Sequence, residues 1–132
     1  MKKTEKITTL KARLWRLVSE YVRKSACNHE GYIRCVTCKK MKEYSQIDAG
    51  HFLPKKKGSA VYFDLRNIHA QCTSCNRFQH GNIHAYYDFM LEKYGLEVIE
   101  ELKEIAAKPL KLTRSDYYEM IEDFKQKLSQ LE

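Results

Sequence analysis

Two short cysteine pairs, Cys35-Val-Thr-Cys38 and Cys72-Thr-Ser-Cys75, restrict the folds open to this chain more than any other feature in it. Two residues between thiols is the spacing of a zinc knuckle. Four thiolates at about 2.3 Å satisfy the softness and tetrahedral preference of Zn²⁺. The alternative is a pair of buried dithiols or a redox motif. Cys27 is left over and reads as a small core residue rather than a fifth ligand. Between Cys38 and Cys72 lie 33 residues, more than the roughly 15–20 of a purely structural four-cysteine site. One ion would therefore pinch shut a module that carries polar residues of its own.

A chain of 132 residues suffices for one packed domain, and 31% charged with 43% hydrophobic residues is a globular balance. No apolar run reaches the roughly 20 residues of a membrane span, and Met1-Lys2-Lys3 does not lead into an apolar signal segment. The reading thus excludes membrane and secreted classes and expects a cytoplasmic protein, in which disulfides are disfavoured. Charge is uneven. Residues 1–80 carry 17 Lys/Arg against 6 Asp/Glu, while residues 81–132 carry 7 against 11. A basic front of this kind suits a polyanionic partner.

Leu10, Leu14, Leu17, Val18, Tyr21 and Val22 recur at helical spacing and predict an amphipathic helix over residues 8–25, with Arg13, Arg16 and Arg23 on its other face. The clamped core spans 33–82. Within it, residues 45–53 read as a strand, Val61-Tyr62-Phe63 as a second strand, and a helix starts near Thr73 and runs toward Phe78. The geometric expectation is a ββα unit held by two knuckles. Residues 84–132 read as a helical tail: 84–94 ending at Gly95, 96–107 before Pro109, and a last helix capped by Thr113 with Asp116 in its first turn. In that helix Tyr117, Ile121, Phe124, Leu128 and Leu131 form a seam that either packs on the domain or pairs with a second chain.

The core also carries Asp48-Ala-Gly-His51, Asn67-Ile-His69, and Asn76 with His80. Hydrolysis of a phosphodiester needs a base that is neutral near pH 7, which histidine supplies, and a divalent cation to stabilise charge at phosphorus. His51 is the candidate base and Asn67 the candidate orienting amide. Asp48, Asn76 and His80 are candidate ligands of the catalytic ion, the last two four apart and therefore on one helix face. His69 is a candidate ligand or phosphate contact. Lys55, Lys56, Lys57 and Arg66 are candidate phosphate contacts, which hold a backbone without reading bases. Each residue also has an ordinary reading, as a turn former, a cap or a solvated charge.

In order, Cys-x-x-Cys, Asp-Ala-Gly-His, Asn-Ile-His-x-Gln-Cys-x-x-Cys-Asn and Gly-Asn resemble the zinc-knuckled HNH endonucleases, and more closely the NinG/Rap recombination proteins of lambdoid phages. The resemblance covers most of the chain. It implies an α+β fold with a ββα-metal module, flanked by an N-terminal helix and C-terminal helices. The implied activity is structure-directed cutting of branched DNA, including Holliday junctions and D-loops, with a Mg²⁺ or Mn²⁺ catalytic ion. It carries zinc to Cys35, Cys38, Cys72 and Cys75, the base to His51 and the motif asparagine to Asn67, and it implies a bacterial host cell and a phage recombinase as partner. Two features depart from the pattern. Gly50, not an acid or histidine, directly precedes the base, and relatives carry a longer basic N-terminal extension. Two other readings stay open: a zinc module that binds DNA or protein without catalysis, and an HNH nickase of ordinary duplex. A homodimer paired through the last helix would place two sites on a four-way junction.

Overall fold

Leu10, Leu14, Val18 and Val22 repeat every four residues, and in the computed structural model they form the buried stripe of α1 (Ile7–Ala26). The structure describes residues 4–54 and 59–131. A small antiparallel ribbon follows, β1 (Tyr32–Arg34) paired with β2 (Met41–Glu43), and its connection carries Cys35 and Cys38. One 3₁₀ turn later comes β3 (Ile47–His51), which pairs antiparallel with β4 (Ile68–Cys72). The register sets Asp48 opposite Gln71, Gly50 opposite His69 and His51 opposite Ile68. Between them lie a single helical turn, α2 (Ser59–Tyr62), and a 3₁₀ turn at Leu65–Asn67. A π-helical turn, Ser74–Phe78, leads to α3 (Ile83–Lys93), α4 (Leu96–Ala107) and α5 (Arg114–Ser129). The chain is thus mixed α+β with two small sheets.

Three apolar clusters divide the interior. The first joins α1 and α5 through Leu10, Leu14, Val18, Tyr117, Ile121 and Phe124, with Ala49 and Ile68 of the β3–β4 sheet. The second surrounds the cysteines with Ile33, Ile47 and Ala70, and Cys27 packs against it half-buried, as a core residue does. The third sets Phe52 and Val61 against Tyr86, Met90, Ile99 and Leu102 of α3 and α4. All five residues of β4 are buried because both faces of its sheet are covered.

Val61 and Tyr62 are helical and Phe63 lies in the turn that follows, so Val61-Tyr62-Phe63 is not the second strand. All three side chains are buried, Val61 in the third cluster and the two aromatics in the first. A strand would turn alternate residues to opposite faces, whereas a rotation of about 100° per residue serves both clusters from one turn. The partner of β3 is instead the extended segment that begins at Ile68.

The helix ends follow local chemistry. Gly95, at φ +90°, donates its N–H to the Leu91 carbonyl and closes α3 in the left-handed conformation that glycine adopts at least cost. At α5, the Thr113 hydroxyl accepts from Asp116 N–H and the Asp116 carboxylate accepts from Thr113 N–H. Of the α5 seam, Tyr117, Ile121 and Phe124 pack on α1, while Leu128 is half-buried and Leu131 is exposed. Among the described residues no helix is long and apolar enough to cross a membrane.

Candidate functional site and metal centre

The four cysteines converge from two directions, Cys35 and Cys38 from the β1–β2 connection and Cys72 and Cys75 from the end of β4 and the turn after it. Their sulfurs all lie within 4.8 Å of one another, with Cys38 and Cys72 at 3.8 Å. A tetrahedron with metal–sulfur bonds of about 2.3 Å has edges of about 3.8 Å. The four thiols are therefore close enough to bind one zinc ion, and no disulfide joins them.

Burial raises the Cys35 thiol, but the Thr37 hydroxyl at 3.2 Å and backbone N–H groups outweigh it and bring the group down to about 6. Cys72 goes the other way, pushed up to about 12 by burial and by neighbouring thiols. Thiolates crowded this closely repel one another, which a cation bound among them relieves, so the four form a good ligand set. The Asn82 amide donates to Cys75 Sγ at 3.5 Å and the Cys38 N–H to Cys35 Sγ at 3.5 Å, a partial outer shell of donors.

Beside this centre a cleft of about 530 Å³ opens between α1, β3 and the π turn, lined by Trp15, Ser19, Arg23, Asp48, Ala49, His51, Asn76 and Arg77, with Ile47 at its base. His51 enters from the end of β3. Its ring stacks on Trp15 at 4.8 Å and 22°, and lies 4.8 Å from the ring of Tyr62. Nε2 is 2.8 Å from the Tyr62 carbonyl oxygen. A carbonyl only accepts, so Nε2 carries the proton in this bond and the neutral ring has its lone pair on Nδ1. The ring is thus fixed in plane and in tautomer.

Asp48 sits three residues earlier. Its carboxylate accepts from Asn76 Nδ2 at 3.0 Å and from a fork of Arg77, Nε at 3.0 Å and Nη2 at 3.1 Å. The structure therefore brings His51, Asp48 and Asn76 to one cleft. Asn67 is fully buried outside it. Its amide donates to the carbonyls of Leu53 and Val61, each at 3.1 Å, and its Oδ1 accepts from Leu53 N–H at 2.7 Å. It holds together the two chain segments that flank His51 and touches no cleft residue by these bonds.

Three other residues lie elsewhere than expected. His80 is exposed, with a left-handed φ of +50°, and does not line the cleft. The π turn stops at Phe78, so residues 76 and 80 never share a helical face. His69 is buried and is no phosphate contact: Nε2 is 2.7 Å from the Tyr94 hydroxyl and Nδ1 is 3.1 Å from the Tyr86 hydroxyl. Burial, aided by the charge of Lys93, brings it down to about 4, so the ring is neutral. Arg66 is bound by Asp64 at 2.8 Å and by Glu101 of α4 at 3.1 Å. These carboxylates raise its pKa and compensate the charge a phosphate would need. Lys55, Lys56 and Lys57 lie outside the described residues.

The sequence reading missed Arg77, and it set Arg23 on the outer face of α1 without the cleft that Trp15, Ser19 and Arg23 wall. Trp15, Ser19 and Arg23 are spaced by four and flank the buried stripe of Leu14, Val18 and Val22, a pattern that marks a second, adjacent face of α1. Arg23 is held there by the Ser19 carbonyl at 3.1 Å and lies 4.8 Å over the ring of Tyr44.

Comparison with known proteins places this sequence in a family. Protein ninG of Salmonella phage P22 is 33% identical over 69 residues, 52% of this chain and 34% of that protein. Protein ninG of Escherichia phage lambda is 32% identical over 69 residues, 52% of this chain and 33% of that protein. Protein ninG of Enterobacteria phage H19B is 36% identical over 59 residues, 45% of this chain and 29% of that protein. The chain thus spans about a third of the length of the relatives it matches. No solved structure matches it. The family model described as Bacteriophage Lambda NinG protein matches residues 1–132, and the chain belongs to the NinG family.

Proposed function

We propose that this chain is a zinc-stabilised endonuclease of the HNH type that hydrolyses phosphodiesters in branched DNA, with His51 as general base. The observation that carries the reading is the fixed tautomer of His51 in a cleft shared with Asp48 and Asn76. A ring whose Nε2–H is held by the Tyr62 carbonyl offers Nδ1 as the basic atom and cannot turn away from its target. In this reading the β3–β4 pair and the turn after it would serve as the two strands and short helix of a ββα-metal module. Asn67 keeps the segments on either side of the base in place and is a positioning residue.

The donor set fits a hard divalent ion such as Mg²⁺ or Mn²⁺: Asp48 offers a carboxylate and Asn76 an amide beside it. Those two residues would hold the ion, which would stabilise charge at the scissile phosphate and on the leaving oxygen. Arg77, now the cation at Asp48, is placed to take a phosphate oxygen. Trp15 and Tyr62 pack on the ring of the base and on each other, 5.3 Å apart, and so limit its motion.

The test is cleavage of a labelled four-way junction and of a matched linear duplex, with Mg²⁺, with Mn²⁺ and with chelator. Metal-dependent cutting of the junction, lost in a zinc-replete His51→Ala variant, is expected. Equal cutting of both substrates points to a nickase of ordinary duplex. Binding without cutting in either metal points to a non-catalytic zinc module.

A further inference from the structure

Phe78 stands at the end of the π turn, directly after the two residues that line the cleft, Asn76 and Arg77. Its side chain is 78% exposed, whereas the next most exposed large apolar residue described, Leu96, is at 53%. A phenylalanine this open has no packing role in the chain. Its mounting, however, is rigid. The turn is rooted in the metal centre through Cys75, tied to β3 through the Arg77–Asp48 and Asn76–Asp48 bonds, and closed by Gln79 N–H to the Ser74 carbonyl at 3.0 Å. Single π turns of this kind concentrate at functional sites.

The surroundings identify the partner. Residues beside Phe78 are polar and exposed, namely Arg77, Gln79 and His80, and the front of the chain is strongly basic. An apolar protein pocket would not match such a rim. A nucleobase would, because it offers a flat π face and arrives with a phosphate for a neighbouring arginine. In an intact duplex the base faces are covered by their neighbours, but at a branch point or a single-stranded flap a face is open.

We propose that Phe78 is a specificity residue that stacks on a base exposed at a DNA branch, and that it sets the preference of the adjacent cleft for branched over linear DNA. The inference rests on the nuclease reading for its substrate class, but it is tested by binding alone. Zinc-loaded full-length chain is titrated, without Mg²⁺ or Mn²⁺, into a four-way junction carrying 2-aminopurine at the branch and into a linear duplex carrying the same base. Wild type is expected to quench the branch probe. Phe78→Ala should lose the quench and bind the junction about tenfold more weakly, with duplex affinity changed by less than about twofold. Phe78→Tyr, which keeps the ring, should restore both signals. Junction binding and quenching by Phe78→Ala equal to wild type would overturn the proposal, even if the chain cuts junctions. Quenching by a chain that never cuts would sustain the stacking role and remove the nuclease reading. An equal loss on junction and duplex would make Phe78 a general DNA contact and overturn its role in specificity.

Discussion

The Tyr86 hydroxyl donates to the Gly50 carbonyl at 2.7 Å, one residue before His51. The hydroxyl has a single proton, so the bond at 3.1 Å between Tyr86 and His69 must run from Nδ1–H of the histidine into the tyrosine oxygen. Nε2 then accepts from Tyr94 at 2.7 Å. A directed chain of donors results, from Tyr94 through His69 and Tyr86 to the backbone of β3. Tyr86→Phe removes the middle of it and leaves the buried ring N–H of His69 without its acceptor. The expected loss is about 1–3 kcal/mol of stability, measured by urea unfolding. A variant as stable as wild type would mean that water replaces the hydroxyl.

His69 makes stability depend on pH. Its folded value of about 4 lies below its ordinary 6.5 because burial, then Lys93, disfavours the charged ring. The unfolded chain therefore binds a proton that the folded chain does not, and stability falls as pH drops from about 6.5 to about 4. The full effect is about 3 kcal/mol. Comparing wild type with His69→Gln across that range isolates this group from the thiols, and the difference in stability between the two should shrink toward low pH.

Gly50 tolerates no side chain. A Cβ there would lie 2.1 Å from Gln71 Oε1 and 3.1 Å from Asn76 Oδ1. Gln71 cannot retreat, because its amide donates to the Gly81 carbonyl at 2.6 Å and to Thr37 at 3.2 Å. Gly50→Ala is expected to cost about 1–3 kcal/mol and to shift the chemical environment of both His51 and Asn76. Heteronuclear NMR of the two side chains would show it.

Arg77 competes with any cation for Asp48. Its guanidinium is 65% exposed, which keeps the pair weak. Arg77→Ala should tighten Mn²⁺ binding about three- to fivefold in zinc-loaded protein, measured by calorimetric titration, while weakening DNA binding. Weaker Mn²⁺ binding would mean that the arginine builds the site and does not compete in it.

Zinc removal should dissolve the second apolar cluster, since three of its six buried members are the thiols Cys35, Cys72 and Cys75, and Cys38 packs against it. Structural zinc sites contribute about 10–16 kcal/mol of apparent binding energy, comparable with the whole stability of a small domain. One equivalent of zinc per chain and unfolding on chelation are the expected results, read by elemental analysis and circular dichroism.

Much of this was legible beforehand. The stripe in α1, the glycine after α3 and the Thr113–Asp116 cap each declare themselves over a few neighbouring residues, and so does the cysteine spacing. The site was legible only in part. His51, Asp48 and Asn76 converge as their motifs suggest, but Asn76 and His80 were joined on the assumption of an α-helix, and the π turn breaks that spacing. His69 and Arg66 have side chains that look exposed in one dimension. What hides or neutralises them, Tyr86, Tyr94 and Glu101, lies 17 to 35 residues away. The strand at 61–63 failed for a related reason: its composition is that of a strand, but two distant clusters compete for its three side chains.

Asn67 also fixes the chain on either side of the segment that precedes α2. By bonding Leu53 on both its N–H and its carbonyl, and Val61 on its carbonyl, it fastens the entry and exit of the segment between them at fixed points. Loop length enters stability only logarithmically when the ends are held. Changes of length between Leu53 and the start of α2 would thus cost little in stability and would leave the Tyr62 carbonyl that fixes His51 where it is.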